Sequence, residues 1–361
     1  EHIRDEQENS ISNPEFLYDF ENLSASLNEK QMNLSPSKEE IKYDINLFVE
    51  YMKGFCQFYG NTELMQKEYY KFTVWFFCSP FMAKFRLCAY QGDKALDPYP
   101  VYGLLYGSSK AGKTTFVKTL YKMTFGLKKI SHAGNFTTKQ VEGLKYSVKG
   151  VPLFYDDVVK NAFNDHAPKI IKHEDFGLDE FLDNYPCVVI TGNEDIKAVD
   201  QYISRRVALC HVTAGITNMQ LIQNSDAKTI QKKIGTALYR EYLRRMMEEL
   251  PSCTEKLRDE NFKDVVDLIA LSSKILNSII KEHIQDIPSF MQEVSLQNFF
   301  DEHQTSATAI TTIQEMWKTC SEMFDIFKKK NILQIRYDQS YLAINMKKQL
   351  PANLCPEVMG S

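Results

Sequence analysis

A glycine-rich stretch that ends in a lysine and two threonines constrains this chain more than any other feature. It fits the phosphate-binding pattern G-x-x-x-x-G-K-[ST] and consists of Gly107, Ser108, Ser109, Lys110, Ala111, Gly112, Lys113, Thr114 and Thr115. An apolar run of strand length covers residues 101–106, and residues 115–121 have the pattern of the first turns of a helix. Because the stretch stands between a strand and a helix, it predicts a nucleotide-binding loop.

The chemistry of phosphate binding explains why these residue types occur in this order. Glycines let backbone N–H groups close around the phosphates, and the helix N-terminus adds positive partial charge. Lys113 would reach the β- and γ-phosphate oxygens, and the Thr114 hydroxyl would bind Mg²⁺. The alternative is an ordinary surface loop of glycine and serine with an exposed lysine, which the flanking strand and helix disfavour.

The composition is that of a soluble globular protein, with 361 residues of which 43% are hydrophobic and 25% charged. Its eight cysteines show no C-x-x-C pair or cysteine and histidine spacing that would indicate zinc or a disulfide framework. The most apolar segment, 72–83, is too short to cross a bilayer and contains Pro80. We therefore expect a cytoplasmic protein, or a nuclear one, that is not secreted and has no membrane partner. The chain begins with Glu1, so we also expect that a further domain or partner precedes it.

Changes in residue pattern along the chain predict four regions. Residues 1–36 are acidic, rich in serine and asparagine, and are interpreted as a linker or arm. An N-terminal helical region, 37–95, precedes the nucleotide-binding core, 96–215, and a C-terminal helical region, 216–361, ends in a basic β-hairpin. The aromatic residues near position 75 are better explained as a packed helical core than as a platform for stacking bases.

Alternating strand and helix patterns predict an α/β fold with a mainly parallel sheet in the core. Five strands are expected, at 101–106, 129–132, 151–155, 187–191 and 206–212. Helices are expected before the sheet, from Ser35–Glu40 to about 52, at 62–78 and at 80–90, and after it at 226–249, 260–283 and 307–329. Residues 332–337 and 341–346 are predicted to pair as the hairpin. A winged-helix-like module is one interpretation of this C-terminal end.

Two further motifs place polar groups at the ends of buried strands. Asp156 and Asp157 follow the strand at 151–155, at the sheet edge where nucleotide sites form. Asp156 would hold Mg²⁺, and Asp157 would polarise the attacking water. Asn193 follows the strand at 187–191 and would position water or sense the γ-phosphate. The alternatives are an Asp-Asp turn and a Gly-Asn turn without a catalytic role.

An arginine pair, Arg205 and Arg206, precedes the last predicted strand. Either arginine suits a finger that reaches the nucleotide of a neighbouring subunit and neutralises the charge of the transition state. The sequence does not choose between the two. The alternative is that the pair makes structural ion pairs or caps a helix.

The segments GSSKAGKTT (107–115), VPLFYDDV (151–158), CVVITGN (187–193) and ISRRVAL (203–209) together resemble the AAA+ ATPases, and more narrowly the superfamily 3 helicases. The resemblance implies ATP as the nucleotide and a homo-oligomeric ring, a hexamer, that hydrolyses ATP between subunits. It also implies engagement of, or translocation on, single-stranded DNA or RNA, as in a replicative helicase. A hairpin that touches DNA, with Lys172 and His173, is expected between the Asp-Asp and Asn motifs. The chain departs from the family in having Thr191-Gly192-Asn193 where Thr-Ser-Asn is common, and no origin-binding domain is recognisable.

Several alternatives stay open at the level of sequence. Lys172 and His173 are either nucleic-acid contacts or solvated side chains among neighbouring acids. The basic stretches 228–245 and 326–348 are either phosphate-binding surfaces or solvated faces. In function, the main alternative is an ATP-gated oligomerisation module that regulates a larger effector, such as a nuclease, without helicase activity. A P-loop kinase is a weaker third possibility.

Overall fold

The computed structural model describes residues 14–127, 135–172, 175–193, 206–212, 214–216, 226–299, 324–329 and 332–337. The chain forms two compact units, 1–296 and 297–361. Within the described residues, no helix combines the length and the apolar character needed to cross a membrane. The strand predicted at 129–132 lies outside the described residues.

The first described elements are three short antiparallel strands, β1 (Phe16–Asp19), β2 (Ser24–Leu27) and β3 (Lys30–Gln31). Phe16 is completely buried, and its backbone N–H donates to the carbonyl oxygen of Lys149 at 2.8 Å. This part of the chain therefore differs from the linker or arm expected over 1–36. Strands of two to four residues are too short to show a clear alternation, and polar residues such as Glu21 and Asn22 occupy the turn after β1.

Three helices precede the main sheet: α1 (Lys38–Lys53), α2 (Thr62–Cys78) and α3 (Met82–Gln91). Ser37 and Glu40 form a capping box at the start of α1. The prediction that the aromatic residues pack in a core is confirmed, since each of them in α2 is completely buried: Tyr69, Tyr70, Phe72, Trp75, Phe76 and Phe77.

A four-stranded parallel sheet forms the core, in the order β5 (Leu153–Tyr155), β6 (Val188–Thr191), β4 (Tyr102–Gly107) and β7 (Val207–Val212). The helices α4 (Lys113–Phe125), α5 (Thr138–Ser147) and α6 (Lys160–Lys172) lie between its strands in the sequence. Nearly every strand residue is buried, as in a sheet covered on both faces. The predicted α/β fold class is confirmed. Since all four strands are parallel, the loops that follow them lie at one edge of the sheet.

Beyond the sheet the chain is helical, with α7 (Asp226–Lys233), α8 (Ala237–Arg258) and α9 (Leu268–His283). The single helix predicted over 226–249 is interrupted between α7 and α8. The buried carboxylate of Asp44 explains the break, because it accepts hydrogen bonds from the backbone N–H groups of Gly235 at 2.8 Å and Ala237 at 2.7 Å. A side chain from α1 thus satisfies backbone donors at the start of α8.

The second unit contains a described antiparallel pair, β8 (Phe324–Lys329) and β9 (Ile332–Tyr337), with Phe324 opposite Tyr337 and Lys329 opposite Ile332. The helix predicted over 307–329 is therefore wrong for its last six residues. The partner of β9 is β8, and the segment 341–346 predicted to pair with it lies outside the described residues. A short apolar run fits the period of either a helix or a strand, and here strand pairing decides.

Candidate functional site

The phosphate loop connects the end of β4 to the start of α4, as its sequence predicts. Gly107 has φ 129°, and a Cβ at that position would lie 2.0 Å from the carbonyl oxygen of Val212. Gly112, with φ 80°, stands at the N-cap of α4. Both positions need glycine, since side chains are strained at these dihedral angles and Gly107 also lies against the backbone of β7. The close approach is reinforced by the backbone N–H of Ser108, which donates to Val212 at 2.8 Å.

Lys113 begins α4, and its side chain turns back into the loop. The lysine is only 8% exposed, and its Nζ donates to the carbonyl oxygens of Gly107 at 3.0 Å and Ser108 at 2.8 Å. The positive charge therefore lies inside the concave backbone that phosphates would occupy. Phosphate oxygens would compete with these two carbonyls for the same ammonium group.

A tyrosine in the helical region before the sheet is hydrogen-bonded to the phosphate loop. The Tyr69 hydroxyl of α2 donates to the carbonyl oxygen of Ala111 at 2.9 Å. Burial raises the pKa of Tyr69 well above its ordinary value, so the group stays a neutral donor. The sequence predicted Tyr69 only as a core residue, because nothing in its helical spacing shows which backbone group its hydroxyl will meet.

A carboxylate and a hydroxyl meet beside the loop. The Thr114 hydroxyl donates to Asp156 Oδ1 at 2.7 Å, so α4 and the end of β5 are joined at this point. Such hard oxygen ligands suit Mg²⁺, which takes few protein ligands and completes its shell with water and phosphate oxygens. Among the described residues, no group of three histidine, cysteine or acidic side chains could hold a metal without such outside ligands.

Thr191 connects the two acidic residues and was missed by the sequence analysis. Its hydroxyl donates to Asp156 Oδ1 at 2.7 Å and accepts from the backbone N–H of Asp157 at 2.8 Å. The threonine is only 2% exposed, at the end of β6. A polar residue that ends an apolar strand is the signal in the sequence that could have found it.

Asp157 and Asn193 complete the chain of contacts. The Asn193 Nδ2 donates to Asp157 Oδ1 at 3.1 Å, and both side chains are exposed. Asp157 has φ 51°, a left-handed conformation that is uncommon outside glycine and that turns the strand end sharply. The structure thus brings together Thr114, Asp156, Asp157 and Asn193, which three separate motifs had predicted, at one edge of the sheet.

Arg206 lies at the opposite edge of the sheet, where the parallel strands begin. Val207 pairs with Tyr102 at the beginning of β4, so five residues of strand, about 17 Å, separate Arg206 from the phosphate loop of its own chain. Its side chain is 19% exposed, with Nε 3.6 Å from Asp97 Oδ1. Arg205 lies outside the described residues.

Lys172 is the exposed last residue of α6, and the structure does not bring it to the phosphate loop. The helix has 13 residues, so Lys172 lies about 18 Å from the start of α6 near the acidic pair. His173 lies outside the described residues. The described stretches 158–172 and 175–187 form α6 and turns, and no β-hairpin. The hairpin expected there is therefore wrong for these residues, because helix formation satisfies the backbone of 160–172 internally.

The basic stretch over 228–245 is partly neutralised inside the molecule. Arg245 donates to both carboxylate oxygens of Glu282 at 2.7 and 2.6 Å, and also to Glu241 at 2.6 Å. Hydrogen bonding from Arg245 lowers the pKa of Glu282 to about 2. Arg244 pairs with Glu241 and Glu248 in the same way. These arginines favour the structural interpretation of the stretch over a surface for phosphates.

A protein-family model supports the nucleotide-binding core. The model of the Aq_aa27 P-loop NTPase domain matches residues 20–196, a range that includes the phosphate loop, the acidic pair and Asn193. The chain is also similar to a solved structure described as SCCmec type IV Cch, an active helicase, with a TM-score of 0.43 and 13% sequence identity. That similarity covers 89% of this chain and 66% of the other. No curated protein matches the chain by sequence.

Proposed function

We propose that this chain, whose core is a P-loop NTPase domain, is a Mg²⁺-dependent ATPase that acts as a homo-oligomeric ring on nucleic acid. One observation carries the proposal of hydrolysis. A continuous set of hydrogen bonds runs from Thr114 through Asp156, Thr191 and Asp157 to Asn193. These hydrogen bonds link the phosphate-binding helix to the ends of two strands. They would therefore hold the groups proposed to bind the metal, the attacking water and the γ-phosphate in fixed positions relative to one another.

We assign one task to Lys113 and one to each side chain in this set of hydrogen bonds. Lys113 and the loop amides bind the β- and γ-phosphates. Thr114 and Asp156 hold Mg²⁺, which supplies neutralisation of charge on the phosphates. Asp157 orients the attacking water and accepts its proton, while Asn193 holds the Asp157 carboxylate and contacts the γ-phosphate. Thr191 joins the Asp156 carboxylate to the backbone N–H of Asp157 and acts as a positioning residue.

The position of Arg206 supports the proposal of ring assembly. Arg206 starts a strand whose other end lies at the phosphate loop, so an arginine here serves a nucleotide only across a subunit boundary. Because Arg206 pairs with Asp97, we assign the finger to Arg205 and a structural role to Arg206. The hexameric state is the one implied by the resemblance to superfamily 3 helicases.

The nucleic-acid part of the proposal rests on the same resemblance and on the exposed position of Lys172 next to His173. Both residues are assigned to contacts with the phosphate backbone of a single strand. Contacts of this kind do not depend on base sequence, and they weaken as salt concentration rises.

A second candidate function is an ATP-gated module that assembles and regulates an effector without moving along nucleic acid. Two observations favour it: the described residues between Asp157 and Val188 contain no hairpin, and the arginines of α8 are ion-paired with acids of the same molecule. This module would use the same hydrolytic site, and the rate of ATP turnover would set how long the assembly lasts.

Steady-state ATP hydrolysis with and without single-stranded DNA or RNA separates the two candidates. For the nucleic-acid motor we expect strong stimulation that falls as salt is raised, and loss of stimulation in Lys172→Ala at an unchanged basal rate. A slow rate that is indifferent to nucleic acid would favour the regulatory module. Absence of any Mg²⁺-dependent hydrolysis would contradict both candidates.

A further inference from the structure

A short segment before α2 lies against the phosphate loop and takes no part in the hydrolytic site. It comprises a turn of 3-10 helix, Gly54–Gln57, and the aromatic residues that follow it. A Cβ built on Gly112 would lie 3.5 Å from the ring of Phe55 and 4.0 Å from the ring of Phe58. Phe55 is buried, and its ring meets that of Phe58 edge-on at 5.2 Å. These two rings hold the segment beside the loop.

The next residue, Tyr59, is held by its backbone and not by its side chain. Its N–H donates to the carbonyl oxygen of Gly215 at 3.0 Å, and it accepts from the Gly215 N–H at 3.1 Å. The neighbouring Ile216 N–H contacts the carbonyl oxygen of Lys110 at 3.4 Å. The backbone of Tyr59 is therefore tied, through the segment after β7, to the loop that would hold the phosphates.

The ring of Tyr59 is nevertheless exposed, with 61% of the residue open to solvent. A Cβ on Gly215 would lie 3.2 Å from the carbonyl oxygen of Ser109 and 3.7 Å from the Tyr59 hydroxyl. A larger residue at 215 would fill the gap between the tyrosine and the loop. Glycine leaves this gap open, with an aromatic ring on one side and the phosphate loop on the other.

We propose that Tyr59 forms the nucleobase subsite, with its ring stacked on the base of the nucleotide whose phosphates occupy the loop. This inference rests on the proposed function, since it assumes that a nucleotide binds at residues 107–115. A tyrosine ring loses little conformational entropy on binding, because it has only two rotatable side-chain bonds. Stacking accepts any π-face, so Tyr59 adds affinity for a nucleotide over bare polyphosphate more than it selects one base.

Isothermal titration with two probes, Mg²⁺-ATP and inorganic tripolyphosphate, tests the subsite, because only ATP carries a base. Tyr59→Ala should bind ATP about tenfold more weakly and tripolyphosphate as the wild type does. Tyr59→Phe should keep the ATP affinity. Tyr43→Ala is the matched control, because Tyr43 is also exposed, at 52%, and takes no part in the loop contacts described above.

A fluorescence measurement makes the test independent of turnover. In Tyr59→Trp, ATP should quench the emission of the introduced indole, and tripolyphosphate should leave it unchanged. An ATP affinity of Tyr59→Ala equal to that of the wild type would overturn the proposal. Equal weakening of both probes would also overturn it, by showing that Tyr59 only supports the loop.

Lys113→Ala separates failure of the subsite from failure of the proposed function. It should weaken ATP and tripolyphosphate alike, because it removes the ammonium that both polyphosphates share. Should Lys113→Ala bind both probes as the wild type does, the phosphate site itself would be wrong, and the stacking proposal with it.

Discussion

The two edges of the parallel sheet, where its strands end and where they begin, both contain polar or charged groups but differ in how these groups are surrounded. At the edge where the strands end, Thr114, Asp156 and Thr191 bond to one another beside the phosphate loop. At the opposite edge, Lys145 of α5 is enclosed, with its Nζ 4.7, 4.6 and 5.1 Å from the ring centroids of Tyr102, Phe176 and Tyr185.

Solvent access explains the difference between the edges. Asp157 and Asn193 are exposed and Asp156 is partly so, so the first edge can exchange its internal hydrogen bonds for those of a ligand. Lys145 is buried, and desolvation lowers its pKa to about 7 in spite of the hydrogen bond to the Tyr102 hydroxyl at 2.9 Å. A charged group therefore indicates a ligand site only where its surroundings are open enough for a ligand to reach it.

The largest effect expected at the first edge is that of Lys113→Ala. Removal of the ammonium should lower the rate of ATP hydrolysis at least about a hundredfold, because it faces the phosphates that carry the transition-state charge. Steady-state phosphate release measures this loss. Lys145→Met, at the second edge, is the matched control and should keep the rate within about twofold. Comparable rates in the two variants would remove the proposed difference between the edges.

Thr191→Val should have the next largest effect. It removes a hydroxyl that donates to the Asp156 carboxylate and accepts from the backbone N–H of Asp157. The bond to the charged carboxylate alone is worth about 1.5–3 kcal/mol, so kcat should fall about tenfold or more. The concentration of Mg²⁺ needed for half-maximal rate should rise as well. Thr191→Ser keeps the hydroxyl and should behave like the wild type. A wild-type kcat in Thr191→Val would leave the threonine as a packing residue only.

The two arginines before β7 supply a further test. Arg205→Ala mixed into wild-type protein should reduce the ATPase rate by more than simple dilution, because one defective subunit impairs its neighbour. Arg206→Ala should lower the free energy of unfolding by about 1 kcal/mol through loss of the contact with Asp97. Mixed into wild-type protein, it should reduce the ATPase rate less than Arg205→Ala does. The reverse pattern would assign the finger to Arg206.

The remaining prediction concerns pH and Lys145, and it bears on stability and not on turnover. The pKa is lowered to about 7 in the folded protein from 10.5, so the unfolded chain binds more protons between these values. The free energy of unfolding should therefore rise as pH increases from about 7, with this group's contribution complete near pH 10.5. Burial raises the pKa of Cys187 to about 12, so that thiol stays protonated in the folded protein between pH 6.5 and 9.

Urea unfolding across that range measures the slope in the wild type and in Lys145→Met, where it should be flatter. Lys139→Met changes an exposed lysine of the same helix and should leave the slope as it is. An identical pH dependence in Lys145→Met and the wild type would show that Lys145 stays protonated in the folded protein. The ammonium group would then be less desolvated than its burial among the aromatic rings implies.

Local patterns determined much of the site. The phosphate loop lies between β4 and α4, and Asp156 and Asp157 follow a buried strand, because both features depend on a few consecutive residues. Helix α2 was predicted with its observed bounds, since a helical period over 17 residues is a strong signal. The strands of 16–31 were not predicted, because strands of two to four residues are too short for a period to appear. The strand at 324–329 was assigned to a helix, because a short apolar run fits either period.

By itself, the sequence determined which residues could bind phosphate and metal, because that chemistry depends on residue type and on spacing within one strand, loop or helix. Only the tertiary structure decided how they meet. The order β5, β6, β4, β7 puts β6 between the acidic pair and the phosphate loop, so Thr191 becomes the residue that joins them. The parallel direction of β7 places Arg206 at the end of the sheet away from the phosphate loop, and an isolated antiparallel pairing ties Tyr59 to Gly215. Contacts between residues so far apart in the chain arise from strand pairing and packing, which no local pattern records.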